Sequence, residues 1–230
     1  HLQAVFEPTD LSAATAELAK LFESAVAKAG LRLRVSCARL DEPAYVDRDM
    51  WEKIILNLLS NALKFTFAGE ITLTTRQVGG RIEVVVRDTG IGIPADALPH
   101  IFERFYRVPE AAGRTLEGAG IGLALVKELV ERHGGTIAVE SAPRVGTAFR
   151  IEIPTGHAHL PPQHVRQEPR ERRRQAPSPL VEEAQGWLGS AGGADAVGPP
   201  TSDRRGRRAR VLVADDNADM RTHLTRVLGG

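Results

Sequence analysis

Three short segments follow one another in a fixed order along this chain of 230 residues: Asn57-Leu-Leu-Ser-Asn61-Ala-Leu-Lys64-Phe65, Asp88-Thr-Gly90-Ile-Gly92 and Gly118-Ala-Gly120-Ile-Gly122-Leu123. Each alone is weak, because glycine patterns recur by chance and helix surfaces often carry Asn and Lys. As an ordered set they read as parts of one ligand pocket, and the elements around them have to bring the three together.

Those elements can be read from caps and periodicity. Asp10 is placed to cap a helix from Leu11 to Ala29, with Leu11, Leu18, Leu21, Phe22 and Val26 near one face and Gly30 as its stop. Leu31 to Cys37 alternates as a strand, and Tyr45-Val46 begins a short second one. Asp47 caps a second helix, Arg48 to Lys64, whose buried stripe is Trp51, Ile54, Ile55, Leu58, Leu59 and Leu63. Glu70 to Val78 and Arg81 to Asp88 flank Gly79-Gly80 as a hairpin. A long irregular stretch then leads to a third helix, Ile121 to His133, and to strands near Thr136 to Glu140 and Thr147 to Ile153. The fold expected is an α/β two-layer sandwich, helices packed on one face of a mixed sheet.

The chemistry follows from spacing. On a helix Asn57, Asn61 and Lys64 stand at i, i+4 and i+7 and project from nearly one face over roughly 10 Å, enough to follow a triphosphate. An amide oxygen is a hard ligand suited to Mg²⁺, so Asn61 is the leading metal ligand with Asn57 beside it, and Lys64 is a point charge for phosphate oxygens. Taken alone the same face could simply be solvated; the downstream motifs favour the functional reading. Asp88 ends a strand, and its carboxylate can accept from an exocyclic amine, while Gly90 and Gly92 let backbone come close to a flat ligand. Gly118, Gly120 and Gly122 lead into a helix, and each costs about 0.5–1 kcal/mol against alanine inside regular structure. Exposed N–H groups and the positive end of the helix dipole at such a start favour phosphate. A dinucleotide fingerprint would need a preceding strand; the segment before Gly118, Arg107 to Glu117, is instead a polar loop.

From about Leu11 to Pro154 the chain resembles the ATP-binding catalytic domain of sensor histidine kinases, the Bergerat fold shared with gyrase, MutL and heat-shock chaperone ATPases. The resemblance implies ATP and Mg²⁺ as ligands and Asn57, Asn61 and Lys64 as the catalytic face. It also implies that Asp88 reads adenine N6, with Thr147 sharing a water beside it, and that Gly90, Gly92, Gly118, Gly120, Gly122 and Leu123 complete the nucleotide site. Arg107 to Glu117 resembles the ATP lid, introduced by Ile101-Phe102-Glu103-Arg104-Phe105-Tyr106-Arg107, the family's phenylalanine box. Phe102 and Phe105 are expected to pin its start to the core; Arg104, Arg107 and Arg114 are low-ranked candidates to cover the γ-phosphate.

Composition removes other classes. Lys+Arg of 30 against Asp+Glu of 29 leaves a formal charge of +1, so no strong field points to a specific nucleic acid. Cys37 is the only cysteine, which excludes an internal disulfide or a cysteine-based zinc site, and it reads as a buried, inert thiol. No apolar run is long enough to span a bilayer, so this portion is expected in the cytoplasm. It opens on His1 and stops within an apparent helix, so a longer parent protein is expected, with a membrane anchor elsewhere left open. Residues 155–209 lose periodicity and become rich in Pro, Gly and Arg, a disordered linker. Residues 210–230, including Asp215 and Asp216, resemble the first strand and helix of a response-regulator receiver domain. The expected organisation is therefore an ATPase domain at 1–154, a linker at 155–209 and a truncated receiver βα unit at 210–230.

Within the superfamily the resemblance points to, hydrolysing members place a Glu four residues before the metal-binding Asn; here Asn57 stands there, and an amide cannot take a proton. That favours transfer of the γ-phosphoryl group to a histidine on a separate dimerisation hairpin, as the catalytic part of a hybrid sensor histidine kinase. None of the seven histidines stands in an acceptor context. The partners implied are that hairpin and a receiver domain of the same or another protein, with a homodimer only in the full-length protein. An ATP-driven clamp, a serine-phosphorylating anti-sigma-type kinase and a non-catalytic nucleotide-binding module are the other readings.

Overall fold

The computed structural model describes residues 4–108, 113–114, 119–169 and 181, all within the unit formed by residues 1–193. Gly118 and the receiver-like segment 210–230 lie outside the described residues. The elements in chain order are β1 (Glu7–Thr9), α1 (Leu11–Lys28), β2 (Arg32–Cys37), β3 (Ala44–Val46), α2 (Arg48–Phe65), β4 (Glu70–Val78), β5 (Arg81–Asp88), α3 (Gly122–Arg132), β6 (Thr136–Ala142) and β7 (Gly146–Pro154). A single 3₁₀ turn follows at Pro162–His164.

A mixed five-stranded sheet in the order β2-β4-β5-β7-β6 forms one layer; β2 runs parallel to β4 and the remaining neighbours are antiparallel. The helices form the other layer, as the two-layer expectation requires: α1 packs over β2 and β4, α2 over β4 and β5, α3 over β6. β1 and β3 make a separate antiparallel pair.

Both long helices start where an aspartate can satisfy the first free N–H groups. Asp10 Oδ1 accepts from Ala13 N at 3.0 Å and Asp47 Oδ1 from Met50 N at 3.1 Å. The whole expected stripe of α2 is buried, from Trp51 to Leu63. Each such side chain contributes roughly 1.5–3 kcal/mol. The Trp51 indole N–H, which cannot be left unpaired in that core, donates to Thr15 Oγ1 on α1 at 3.0 Å. On α1, Leu11, Phe22 and Val26 are buried, whereas Leu21 is 45% exposed. Cys37 is half-buried, not fully so, and desolvation raises its thiol pKa.

Residues 155–169, read as the start of a linker, run back along the domain. The Phe6 N–H donates to His164 O at 2.8 Å and the Arg166 N–H to Phe6 O at 2.8 Å. Leu160 packs with Ala4 and Phe6 in a second small core. Backbone pairing and one buried leucine hold this segment, and neither leaves a periodic trace in sequence.

Candidate functional site

The site lies where the C-terminal half of α2, the end of β5 and the start of α3 meet. Asn57, Asn61 and Lys64 are all half-buried on a helix whose other faces are mostly packed. The Asn57 Nδ2 donates to Lys53 O at 2.7 Å, which fixes the amide and leaves Oδ1 facing α3. A β-carbon on Gly122 would meet that oxygen at 2.7 Å, so the first and third motifs are in contact. Lys64 Nζ stands 5.6 Å from the centre of the Phe65 ring. Unlike α1 and α2, α3 starts without a side-chain cap, and its first turn holds no acidic residue, so among the described residues no carboxylate offsets its amide end. Leu123, in that first turn, is partly buried and packs on the core.

The loop after β5 is anchored along its length. Gly90 N donates to Asp88 Oδ1 at 2.8 Å, Ile91 N to Phe65 O at 3.1 Å, and Ile93 N to Ser141 Oγ at 2.8 Å; Arg144 N donates to Ile91 O at 2.7 Å. The glycines serve this anchoring. A β-carbon at Gly90 would lie 2.3 Å from Phe65 O, and one at Gly92, where φ is +71°, 2.0 Å from Ala142 O. Packing of protein backbone against protein backbone therefore requires them, a reason separate from the ligand approach that the sequence suggests. Gly120 is similarly closed in: a β-carbon there would lie 2.8 Å from Phe105 C, and Phe105 N donates to Gly120 O at 2.9 Å.

Asp88 is buried, and desolvation raises its carboxyl pKa; the Gly90 and Thr147 backbone and the Thr66 hydroxyl oppose this without cancelling it. Thr66 Oγ1 stands beside that carboxyl, fully buried and, among the described residues, with no hydrogen-bond partner of proper geometry. An orphaned hydroxyl next to a buried carboxyl is what an amine-bearing ligand, or a water it carries, could satisfy. Thr147 lies directly opposite Asp88 in the β5–β7 register, and its Oγ1 is 2.9 Å from Ser141 Oγ. Amide oxygens, a lysine, an uncapped helix start and a buried carboxyl beside a buried hydroxyl are groups whose chemistry fits Mg-ATP.

Other expectations resolve differently. Phe102 packs edge-on against Phe149, with ring centres 6.3 Å apart, and pins the loop as expected. Phe105 does not: its φ of +68° turns the side chain out, 68% exposed. Arg104 pairs with Glu128 on α3 at 3.2 Å. Arg114 closes the end of α2: its N donates to Lys64 O at 3.0 Å, Nε to Leu63 O at 3.0 Å and Nη2 to Thr66 O at 2.7 Å. One fork-shaped donor satisfying several free helix carbonyls accounts for that placement. Thr66, Ser141 and Gly146 belong to the site and were not singled out from sequence. Gly146, with φ +125°, would put a β-carbon 2.0 Å from Asp88 O, and its only local signal is its position before Thr147.

Residues 46–157 match the family described as histidine kinase-, DNA gyrase B- and HSP90-like ATPases. Among curated relatives, Sensor histidine kinase RcsC of Escherichia coli K12 is 41% identical over 110 residues, 48% of this chain and 12% of that protein. Sensor-like histidine kinase SenX3 of Mycolicibacterium smegmatis is 40% identical over 109 residues, 47% of this chain and 28% of its own length. The matched stretch thus spans well under a third of either relative. Among solved structures, full-length ShkA in complex with AMPPNP is similar with a TM-score of 0.59 at 30% identity, covering 69% of this chain and 33% of ShkA. The nucleotide-free catalytic domain of histidine kinase ThkA gives 0.57 at 27%, covering 65% of this chain and 97% of that domain. ThkA in complex with response regulator protein TrrA gives 0.55 at 25%, covering 66% and 42%.

Proposed function

We propose, starting from the membership of residues 46–157 in the histidine kinase-, DNA gyrase B- and HSP90-like ATPase family, that this domain binds Mg-ATP and serves phosphoryl transfer to a histidine on a separate helical hairpin. The observation that carries the reading is the meeting of Asn57 with Gly122 and of Phe65 with Gly90, which draws the polar face of α2, the Asp88 loop and the open start of α3 into one pocket. The resemblance to sensor histidine kinases and to a nucleotide-analogue complex supports ATP as the ligand.

When bound, ATP supplies the transferable phosphoryl group and Mg²⁺ offsets its charge. Asn61, with Asn57 beside it, would hold the cation through amide oxygen, and Lys64 would face phosphate oxygens. Asp88 accepts from the adenine amine, with Thr147 sharing a water. Gly90, Gly92 and Gly120 keep the surrounding backbone close-packed and Gly122 leaves room for the Asn57 amide; Gly118 and Leu123 are assigned to the nucleotide site by family pattern. Asn57 holds no proton acceptor at the place where hydrolysing relatives carry a Glu, so bound ATP is retained for transfer and water attack is slow. The partners proposed are a histidine-bearing dimerisation hairpin and a response-regulator receiver, the latter by analogy with the ThkA complex. Residues 210–230 are proposed as the start of such a receiver, reached through residues 170–209, in a cytoplasmic part of a longer, dimeric kinase.

The test supplies γ-labelled ATP, Mg²⁺ and the isolated histidine hairpin of a sensor kinase to this chain. Acid-labile label on the hairpin, dependent on Asn61, is the expected result. Fast release of free phosphate would move the function to a clamp ATPase, and acid-stable phosphoserine on an added protein to a serine kinase.

A further inference from the structure

Asp88, Thr147 and Ser141 form one cross-strand row. Thr147 on β7 is paired with Asp88 on β5 and with Ser141 on β6, and directly opposed residues share a face of the sheet. Ser141 Oγ has three neighbours: the Ile93 N–H at 2.8 Å, Gly146 O at 2.9 Å and Thr147 Oγ1 at 2.9 Å.

The protons of this row can be counted. A serine hydroxyl has one proton to give and two lone pairs to receive. The Ile93 N–H takes one lone pair. Gly146 O carries no hydrogen, so that contact uses the Ser141 proton. The Thr147 contact must then run from the Thr147 O–H into the second Ser141 lone pair. Thr147 Oγ1 is left as an acceptor only, on the residue directly across the β5–β7 ladder from Asp88, whose carboxyl the Thr147 backbone N–H meets.

We propose that Ser141 is a positioning residue for purine selection, holding the Thr147 hydroxyl proton away from the nucleotide so that Asp88 and Thr147 present two acceptors to the purine's 6-position. The inference rests on the reading of Asp88 as the adenine contact. A 6-amino group brings two hydrogens to such a pair, directly or through a water. A 6-carbonyl brings only lone pairs, and meets acceptors at both places. Without Ser141 the Thr147 hydroxyl is free to rotate and donate, so the carbonyl purine gains a partner that the intact row denies it. Ser141 also holds Ile93 at the end of the Asp88 loop, which makes it a link between purine selection and the placement of Gly90 and Gly92.

Inosine 5′-triphosphate carries a carbonyl in place of the 6-amino group of ATP, with N1 protonated in consequence, and is the discriminating probe. Calorimetric affinities for both nucleotides are measured on the whole chain and on Ser141→Ala, Ser141→Thr and Thr147→Val, with far-UV circular dichroism to verify folding. The intact chain prefers ATP, Ser141→Ala shrinks that preference roughly tenfold, the scale of one polar group changing from unpaired to paired, and Ser141→Thr restores it. Thr147→Val, which removes the hydroxyl being positioned, shrinks the preference as well and decides the matter where Ser141→Ala does not fold. A Ser141→Ala variant that weakens both nucleotides with the ratio intact marks Ser141 as merely structural and overturns the proposal. An intact chain that binds both alike overturns the adenine reading of Asp88 itself, and one that binds neither overturns the ATP site.

Discussion

Asn57 Oδ1 and Gly122 face each other so closely that a β-carbon on Gly122 would stand 2.7 Å from that oxygen. The contact is what joins the amide face of α2 to the first turn of α3. Gly122 is the first residue of α3, and the atom in the way is the end of a side chain held by one hydrogen bond to Lys53 O. Gly122→Ala is expected to fold with a Tm close to that of the parent, while turning the Asn57 amide and lowering Mg-dependent ATP affinity several-fold. Thermal unfolding and calorimetry on the same samples check both halves; intact affinity contradicts the role given to this contact.

Asp88 is a carboxyl buried at a cost. Burial raises its folded carboxyl pKa above the ordinary value. For a carboxyl raised in the folded state the sign is clear: the fold is favoured while the group is protonated, and that advantage is lost as pH rises through the folded pKa. Asp88→Asn keeps an oxygen for the Gly90 N–H and removes the ionisable group. Its Tm is expected to exceed that of the parent at pH 7, with the difference narrowing as pH falls toward the usual carboxylate range. The same variant is expected to lose the preference for ATP over GTP, roughly tenfold or more in the parent. Melting curves against pH and nucleotide competition measure the two effects; a variant melting below the parent at pH 7 contradicts the desolvation account.

Where local chemistry is self-sufficient, the sequence carried the fold. Asp10 and Asp47 announce their helices, the α2 stripe from Trp51 to Leu63 is buried throughout, and β4 and β5 run Glu70–Val78 and Arg81–Asp88 as their alternation and Gly79-Gly80 suggest. What depends on distant partners was not legible. β1 is three residues long and exists because β3 pairs with it; residues 155–169 are held by Phe6 and by the pocket around Leu160. Among the candidate site residues, residue types and spacing pointed to Asn57, Asn61 and Asp88 and the family resemblance to Thr147, whereas Ser141 enters through strand register, once β6 extends to Ala142, two residues past the Glu140 suggested by alternation. Arg114 shows the opposite case: a mobile-looking cation in sequence is occupied by the carbonyls of α2.

His133 connects the end of α3 to the start of α2. Its buried ring has Nδ1 2.7 Å from Leu129 O, and its Nε2 accepts the Asp47 N–H at 3.1 Å. Those partners require the neutral ring with the proton on Nδ1. Burial lowers its pKa, and His159, 3.1 Å from His133 O, is lowered for the same first cause. A histidine depressed in the folded state leaves stability intact above the unfolded value near 6.5 and removes it as pH falls toward the folded pKa. The Tm is accordingly expected to decline as pH drops below about 6.5, and to decline less in His133→Gln, which is less stable at pH 8. Equal slopes for parent and variant contradict this assignment.

The most direct measurement of the central claim is an ATP titration of the chain and of Asn61→Ala, each with and without Mg²⁺, followed by calorimetry. Asn61 is half-buried on α2, so the substitution is expected to leave the fold, read by far-UV circular dichroism, unchanged. The account predicts that ATP binds the parent more tightly with Mg²⁺ than without, and that Asn61→Ala loses the Mg²⁺-dependent part. Equal affinity of parent and variant under both conditions would contradict it.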